Sequence, residues 1–240
     1  MTYAFTHRGI RFGDEENTLI AFQRAWDLGI THLETDVRVS KDGTVYAFHD
    51  ETLDRVTDAQ GPVHERTDEE LGAVRAGGQP LCTLRELLRS FPNAVLNVDV
   101  KDERVIAPLA KLIEELGCHR QIALASFDSS RSAAVQHLIS APVRRSPGMR
   151  QMALIWLCAT LLGRIPRSLA HGFWAVQVPM KYGVLPVVTL RFINAVQRAG
   201  LQVHVWVVDD EPTMRALIEK KVDAIMSDDA ELLLQVLAKK

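Results

Sequence analysis

The chain has 240 residues, is 47% hydrophobic, and sets 28 lysines and arginines against 30 aspartates and glutamates, a formal net charge of -2. That is an ordinary soluble globular composition, and near-neutrality removes any whole-chain electrostatic reason to expect a nucleic-acid partner. Three scattered cysteines, Cys82, Cys118 and Cys158, form no CxxC pair, so they suggest neither a disulfide framework nor a thiolate zinc site and fit a reducing compartment.

In chain order, the N-terminus shows no basic stretch followed by an apolar run, so no signal peptide is expected and the location reads as cytoplasmic. Residues 2–7 read as a short strand. Residues 17–29 place Leu19, Ala21, Phe22, Ala25, Trp26 and Leu28 near helical spacing, with Gly29 after the last turn. Residues 30–39 form the next strand, and residues 44–50 its hairpin partner or extension after the turn at Lys41–Gly43. Residues 51–79 are polar and turn-rich, a long loop or small insertion with one short helix at residues 68–74. From there helix and strand alternate again: helix 83–91, strand 94–101, helix 103–117 with a kink or early break at Pro108, strand 121–127 and helix 129–140. Residues 141–146 give a fifth strand, residues 148–163 a helix, 173–180 a strand, and 188–200 a helix. Residues 201–210 are a strand, 211–220 a helix, 222–228 a strand and 229–239 a helix.

About eight β/α units predict a parallel sheet wrapped by helices, closed into a TIM (β/α)8 barrel with a small insertion after the second strand. The rival, a doubly wound open sheet, lacks a glycine-rich phosphate fingerprint after the first strand. Residues 1–240 are read as a single domain of this kind.

Chemistry in such a barrel gathers at the C-terminal strand ends. There the sequence places His7 and Arg8, then Glu34 and Asp36, then His49 on the extension, then Asp99 and Lys101. Glu34 and Asp36 are two apart in a strand and share a face, as do Asn97, Asp99 and Lys101. Ser126, Gln177, His204, Trp206 and Asp228 stand at later strand ends. Each has an ordinary reading. Asp99 and Lys101 have the spacing of a structural ion pair. His204 either points to the mouth with Trp206 or lies lower in the barrel. Asp228 either joins the mouth or caps the last helix. His32, His64, His119, His137 and His171 read as structural. Three acids with no cysteine and no histidine pair at metal spacing suit a hard divalent cation, Ca²⁺ or Mg²⁺. Arg8 and Lys101 are phosphate donors, and two histidines can divide acid and base work near neutral pH. The set suits metal-assisted phosphodiester cleavage.

The segments "HRG", "ENTLIAFQRAWDLGITHLETDVRVSKDGTVYAFHDETLDRVT", "LNVDVK", "ASF", "VHVWVVDD" and "VDAIMSDDA" resemble the glycerophosphodiester phosphodiesterase family, in the family's order, from Thr6 to about Ala230. The resemblance implies a TIM barrel with an insertion at residues 51–79. It implies a cation held by Glu34, Asp36 and Asp99, catalytic histidines at His7 and His49, and substrate contacts from Arg8, Lys101 and Trp206. The implied reaction yields glycerol 3-phosphate and an alcohol from a small glycerophosphodiester, by direct water attack or through a cyclic phosphate. Departures are Asp99 where the family often has Glu, Ile10 where a small residue is usual and expected to narrow that loop, Val207 where Thr is common, and a last loop lacking the family's glycines and proline. Two other functions remain alternatives: a lysophospholipase D-type enzyme at a membrane surface, and a silent barrel that binds glycerophospho-compounds. The apolar stretch 152–162, bordered by arginines and too short to span a bilayer, reads either as an outer barrel helix or as part of a weak peripheral membrane contact through residues 144–167.

Overall fold

The structure is a computed structural model that describes residues 2–239. Its first part runs β1 (Tyr3–His7), α1 (Leu19–Asp27), β2 (His32–Val39), β3 (Val45–Ala47), α2 (Asp68–Ala73), β4 (Arg75–Ala76) and β5 (Gln79–Pro80). The middle runs α3 (Leu84–Ser90), β6 (Val95–Val100), α4 (Ile106–Leu116), β7 (Ile122–Ala125), α5 (Ser129–Leu138), β8 (Arg144–Arg145) and α6 (Met149–Leu157), the last continued by a π-helical turn over Cys158–Leu162. The rest is α7 (Arg167–Ala170), β9 (Ala175–Val178), β10 (Lys181–Tyr182), β11 (Leu185–Pro186), α8 (Leu190–Arg198), β12 (Gln202–Val205), α9 (Glu211–Glu219), β13 (Ala224–Ser227) and α10 (Ala230–Ala238).

Eight parallel strands form the predicted barrel in the order β8–β7–β6–β2–β1–β13–β12–β9, with β3 antiparallel on β2. Seven junctions are full ladders. At the eighth, between β8 and β9, the Trp174 N–H donates to the Arg145 carbonyl at 2.8 Å, and the described residues form no ladder there. Side chains alternate as the pleat requires. Leu33 and Val37 of β2, Leu96, Val98 and Val100 of β6, and Val203 and Val205 of β12 pack outward into two large apolar clusters under the helices. Their neighbours Glu34 and Asp36, Asn97 and Asp99, and His204 therefore turn into the barrel. These three strands are apolar on the helix side and polar on the other, which is how a buried sheet accommodates carboxylates, whereas β1 and β13 turn Phe5, Ala224 and Met226 inward.

The helices start where side-chain caps satisfy their first free N–H groups. Thr18, Thr83, Thr189, Asp210 and Asp229 each accept a backbone N–H of the first turn, a contribution of about 1 kcal/mol apiece. Pro108 stands in the first turn of α4, after a short 3-10 turn, where a missing N–H costs nothing, so it begins the helix rather than kinking it. The insertion is more than a loop. Leu53, Val56, Val63, Leu71 and Val74 close a small core of their own with Tyr46 and Phe48. It is pressed onto the loop after β1 at Gly77, where a Cβ would come within 2.8 Å of the Glu15 nitrogen. No helix among the described residues is long and apolar enough to cross a membrane.

Candidate active site

Strand register sets the site. His7 lies beside Glu34, Glu34 beside Asn97, and Asp36 beside Asp99 on adjacent strands, all at their C-terminal ends. The antiparallel strand β3 then returns the chain: the Phe48 N–H donates to the Asp36 carbonyl at 2.9 Å, which brings His49 to the same rim. Arg38 fixes that turn by donating twice to the His49 carbonyl, at 3.0 and 3.1 Å. Arg8 sits in the left-handed region, φ 58°, a conformation costly for a residue with a side chain and often kept at functional sites. The next residue must be glycine, since a Cβ on Gly9 would lie 2.7 Å from Ala21. This bend aims the Arg8 guanidinium at Asp36, with Nε 2.8 Å from Oδ2, and at Glu16.

A cavity of about 670 Å³ opens over these residues. All eight residues expected at the mouth line it: His7, Arg8, Glu34, Asp36, His49, Asp99, Lys101 and Trp206. Its floor is an amide pair across the barrel, in which Gln177 donates to Asn97 at 2.7 Å. Its remaining wall is apolar and includes Phe127, Met149, Met152, Trp156, Tyr182 and Leu185. Val207, where Thr is common, lines the cavity, but Ile10 does not narrow it. Ile10 is buried in the cluster that holds Phe22 and Ala25, because its backbone N–H is drawn to the Ala21 carbonyl of α1.

Both mouth histidines are held by carboxylates. His7 Nδ1 is 2.7 Å from Asp228 Oδ1, and its Nε2 is 3.9 Å from Glu34. Burial pulls the His7 pKa down, but the Asp228 hydrogen bond and the Glu34 charge together outweigh it and raise it above the ordinary value. His49 Nδ1 is 2.5 Å from Asp50 Oδ1. Burial pushes Asp50 up, but its bonds to Arg55 and His49 prevail and hold its carboxyl down at about 2. Arg55, from the insertion, also donates to Glu16, which faces Arg8. A continuous chain of charges thus runs from His49 through Asp50, Arg55 and Glu16 to Arg8 and Asp36. Sequence reasoning missed Asp50, Glu16 and Arg55, since the last two meet only in space. Asp50 carries one signal, its place directly after His49. Asp228 is not the helix cap: Asp229 caps α10, which leaves Asp228 free to hold His7.

The three barrel acids differ. Asp36 is held by Lys101 and Arg8, and although burial opposes ionisation their charges lower its pKa. Lys101 Nζ lies between Asp36 Oδ1 at 2.8 Å and Asp99 Oδ2 at 2.7 Å. Glu34 has no cation of its own; burial, then the Asp36 charge, raise its pKa well above the carboxylate range. One buried oxygen each of Glu34 (Oε2) and Asp99 (Oδ1) has no hydrogen-bond partner, whereas Asp36 Oδ2 is taken up by its ion pair with Arg8 Nε. Two unpaired carboxylate oxygens on one cavity wall, with the Asp36 carboxylate beside them, fit a hard divalent cation. They are not drawn into a closed cluster: no three acid, histidine or cysteine groups among the described residues gather closely enough to enclose an ion, because Lys101 lies between Asp36 and Asp99.

His204 belongs elsewhere. It is fully buried below the mouth, with Tyr3 Oη 2.9 Å from its Nε2 and the rings of Trp174 and Phe5 against it. His32 stacks on Tyr3 in the same cluster.

Fold and mouth together define a TIM barrel with a polar site at the C-terminal strand ends, floored by amides and walled on one side by apolar groups. The sequence matches the glycerophosphoryl diester phosphodiesterase family over residues 7–232, and the chain belongs to that family. It is 34% identical over 238 residues to the "Probable glycerophosphodiester phosphodiesterase 2" of Mycobacterium tuberculosis, covering 98% of this chain and 90% of that protein. The crystal structure of the glycerophosphodiester phosphodiesterase of Agrobacterium tumefaciens superposes with a TM-score of 0.80 at 27% identity, covering 99% of this chain and 100% of that one. The Oleispira antarctica phosphodiesterase, solved with the product sn-glycerol-3-phosphate, shares the fold with a TM-score of 0.80 at 21% identity, covering 99% of this chain and 97% of that one.

Proposed function

We propose that this chain is a divalent-metal-dependent phosphodiesterase, in one domain over residues 1–240, that hydrolyses glycerophosphodiesters to glycerol 3-phosphate and an alcohol. The observation that carries the reading is the meeting, on one rim, of two carboxylate-held histidines with three acids, two of which keep unpaired oxygens. Family membership and the M. tuberculosis relative's name support the same reaction class.

Glu34, Asp36 and Asp99 would hold Ca²⁺ or Mg²⁺, which when bound supplies charge against the non-bridging phosphate oxygens. Arg8 and Lys101 add fixed donors for the same oxygens. His7 and His49 divide the proton work: one accepts the proton of the attacking hydroxyl, the other returns one to the leaving oxygen. Asp228 and Asp50 fix each imidazole's orientation and tautomer through Nδ1, leaving Nε2 free for the proton in transit. This division serves attack by water and attack by the neighbouring glycerol hydroxyl equally. Trp206 supplies a flat wall for the alcohol group.

Release of glycerol 3-phosphate from glycerophosphoethanolamine tests the reading. Turnover should require added Ca²⁺ or Mg²⁺, stop with EDTA, and fall about 10³-fold in His49→Ala. No turnover on any diester by the metal-loaded protein would refute it and favour the silent barrel. The apolar wall formed by Phe127, Met149, Met152 and Trp156 favours a second substrate of the same reaction, a single-chain lysophospholipid, assayed by release of its head-group alcohol.

A further inference from the structure

The helix that precedes β9 is poorly buried for its composition. Over α6 and its π-helical turn only Ile155 and Ala159 are buried, four residues apart, a single thin stripe. Met152, Ala153 and Trp156 face the cavity. What remains is another apolar face: Leu154, Leu157, Leu161 and Leu162 are between 46% and 64% exposed. A helix that is apolar all round normally lies inside a protein or against another apolar phase. The β10–β11 hairpin repeats the pattern. Its Tyr182 and Leu185 line the cavity yet stay exposed, and Val184 at its tip is 94% exposed.

Charge is distributed to match. From Ser129 to Val208 the chain has nine lysines and arginines and no aspartate or glutamate, although acids outnumber bases over the whole sequence. Arg150, Arg164, Arg167, Lys181, Arg191 and Arg198 are exposed. Arg191 and Arg198 donate to the carbonyls of Leu161 and Gly163, so they tie α8 to the leucine turn while keeping their charge.

We propose that α6 with its π-helical turn, together with the β10–β11 hairpin, docks on an anionic lipid bilayer, leucines in the interface and arginines on the lipid phosphates. Exposed leucines bordered by uncompensated arginines are the chemistry of an interfacial helix, and each basic group near an anionic leaflet adds attraction. The segment Met149–Leu162 is too short to cross a bilayer, so it lies on the surface. A second copy of the chain is a poorer occupant, since it would set the same unpaired cations against each other. Because the docking elements also wall the cavity, the mouth meets the lipid. The inference rests on the phosphodiesterase reading for its purpose, though not for its test.

Co-sedimentation with vesicles of phosphatidylcholine, with and without phosphatidylglycerol, reads the docking directly. Wild-type protein should sediment with the anionic vesicles and stay free with neutral ones, and raised salt should release it. The pairs Leu161→Asp with Leu162→Asp, and Arg164→Glu with Arg167→Glu, should each weaken binding roughly tenfold or more. Both should keep wild-type thermal melts and wild-type turnover of the soluble diester. The proposal is overturned if wild-type protein ignores anionic vesicles, if either pair binds as wild type does, or if light scattering shows a dimer that the leucine pair dissolves while vesicles are not bound. Failure of the phosphodiesterase reading would show separately, as no turnover of the soluble diester.

Discussion

The two ends of the barrel both contain a pair of histidines, and they treat them in opposite ways. At the mouth, His7 and His49 each meet a carboxylate, and the pull of Asp228 and Glu34 raises His7 despite its burial. Lower down, His32 and His204 meet aromatic rings and a tyrosine hydroxyl, and burial pushes their pKa values down to about 4 and about 3. Burial alone makes a histidine a neutral packing group. Burial with an acid on Nδ1, as at His7, instead favours the protonated imidazole.

The contrast breaks first at the mouth. His7→Ala or His49→Ala should lower kcat on glycerophosphoethanolamine about 10³-fold, close to 4 kcal/mol, with the thermal melt nearly unchanged. A loss of under tenfold in either would remove that residue from proton transfer. Glu34→Ala and Asp36→Ala should abolish turnover and weaken cation binding measured by calorimetry. Their melts in EDTA should part company. Losing Glu34 removes a buried carboxyl that no lysine or arginine pairs, whereas losing Asp36 strips Arg8 and Lys101 of one of their two partners each.

At the lower end the effect should appear in stability. His204 titrates near 6.5 in the unfolded chain but at about 3 in the fold, so the unfolded state binds the extra proton between those values. Stability is therefore complete above pH 6.5 and falls as the solution is acidified, by about 2 kcal/mol near pH 5 from this residue alone. His204→Gln should flatten that slope in urea melts; an unchanged slope would assign the acid loss to other groups.

Smaller effects would sharpen the comparison. Asp228→Asn removes the group that lifts His7, so the His7 limb of the pH–rate profile should move to lower pH, with kcat down about tenfold. Rescue of the profile by Asp228→Glu would mark a positioning role. Arg55→Ala should cost only a few-fold in kcat, by loosening Asp50 against His49.

The barrel was legible because its strands and helices carry their periodicity locally: Leu33 and Val37 against Glu34 and Asp36 announce a strand with a polar inner face. The eight residues of the mouth were legible for the same reason, since each closes or follows a strand. What was not legible depends on meetings across the chain. Glu16 and Arg55 are separated by 39 residues and by the insertion. Asp228 and Asp229 carry equivalent local signals, and only the turn geometry decides which caps α10 and which holds His7. Ile10 looked like an obstruction to its loop because sequence does not say that its N–H is pulled toward α1. The small core of the insertion was hidden because Leu53, Val56, Val63 and Leu71 follow no single period. The β10–β11 hairpin, two residues a side, is too short to leave a pattern.

The junction between β8 and β9 gives the barrel a mechanical character. Seven laddered junctions and one hydrogen bond make an open ring rather than a closed hoop. In an open ring, a given strain is taken up mostly at the gap. Ser146 and Pro147 follow one lip, Gln177 and Val178 lie on the other, and all four line the cavity. The width of this gap is therefore the dimension of the site that the fewest backbone hydrogen bonds hold, and it lies on the apolar wall rather than on the charged rim of β1, β2 and β6.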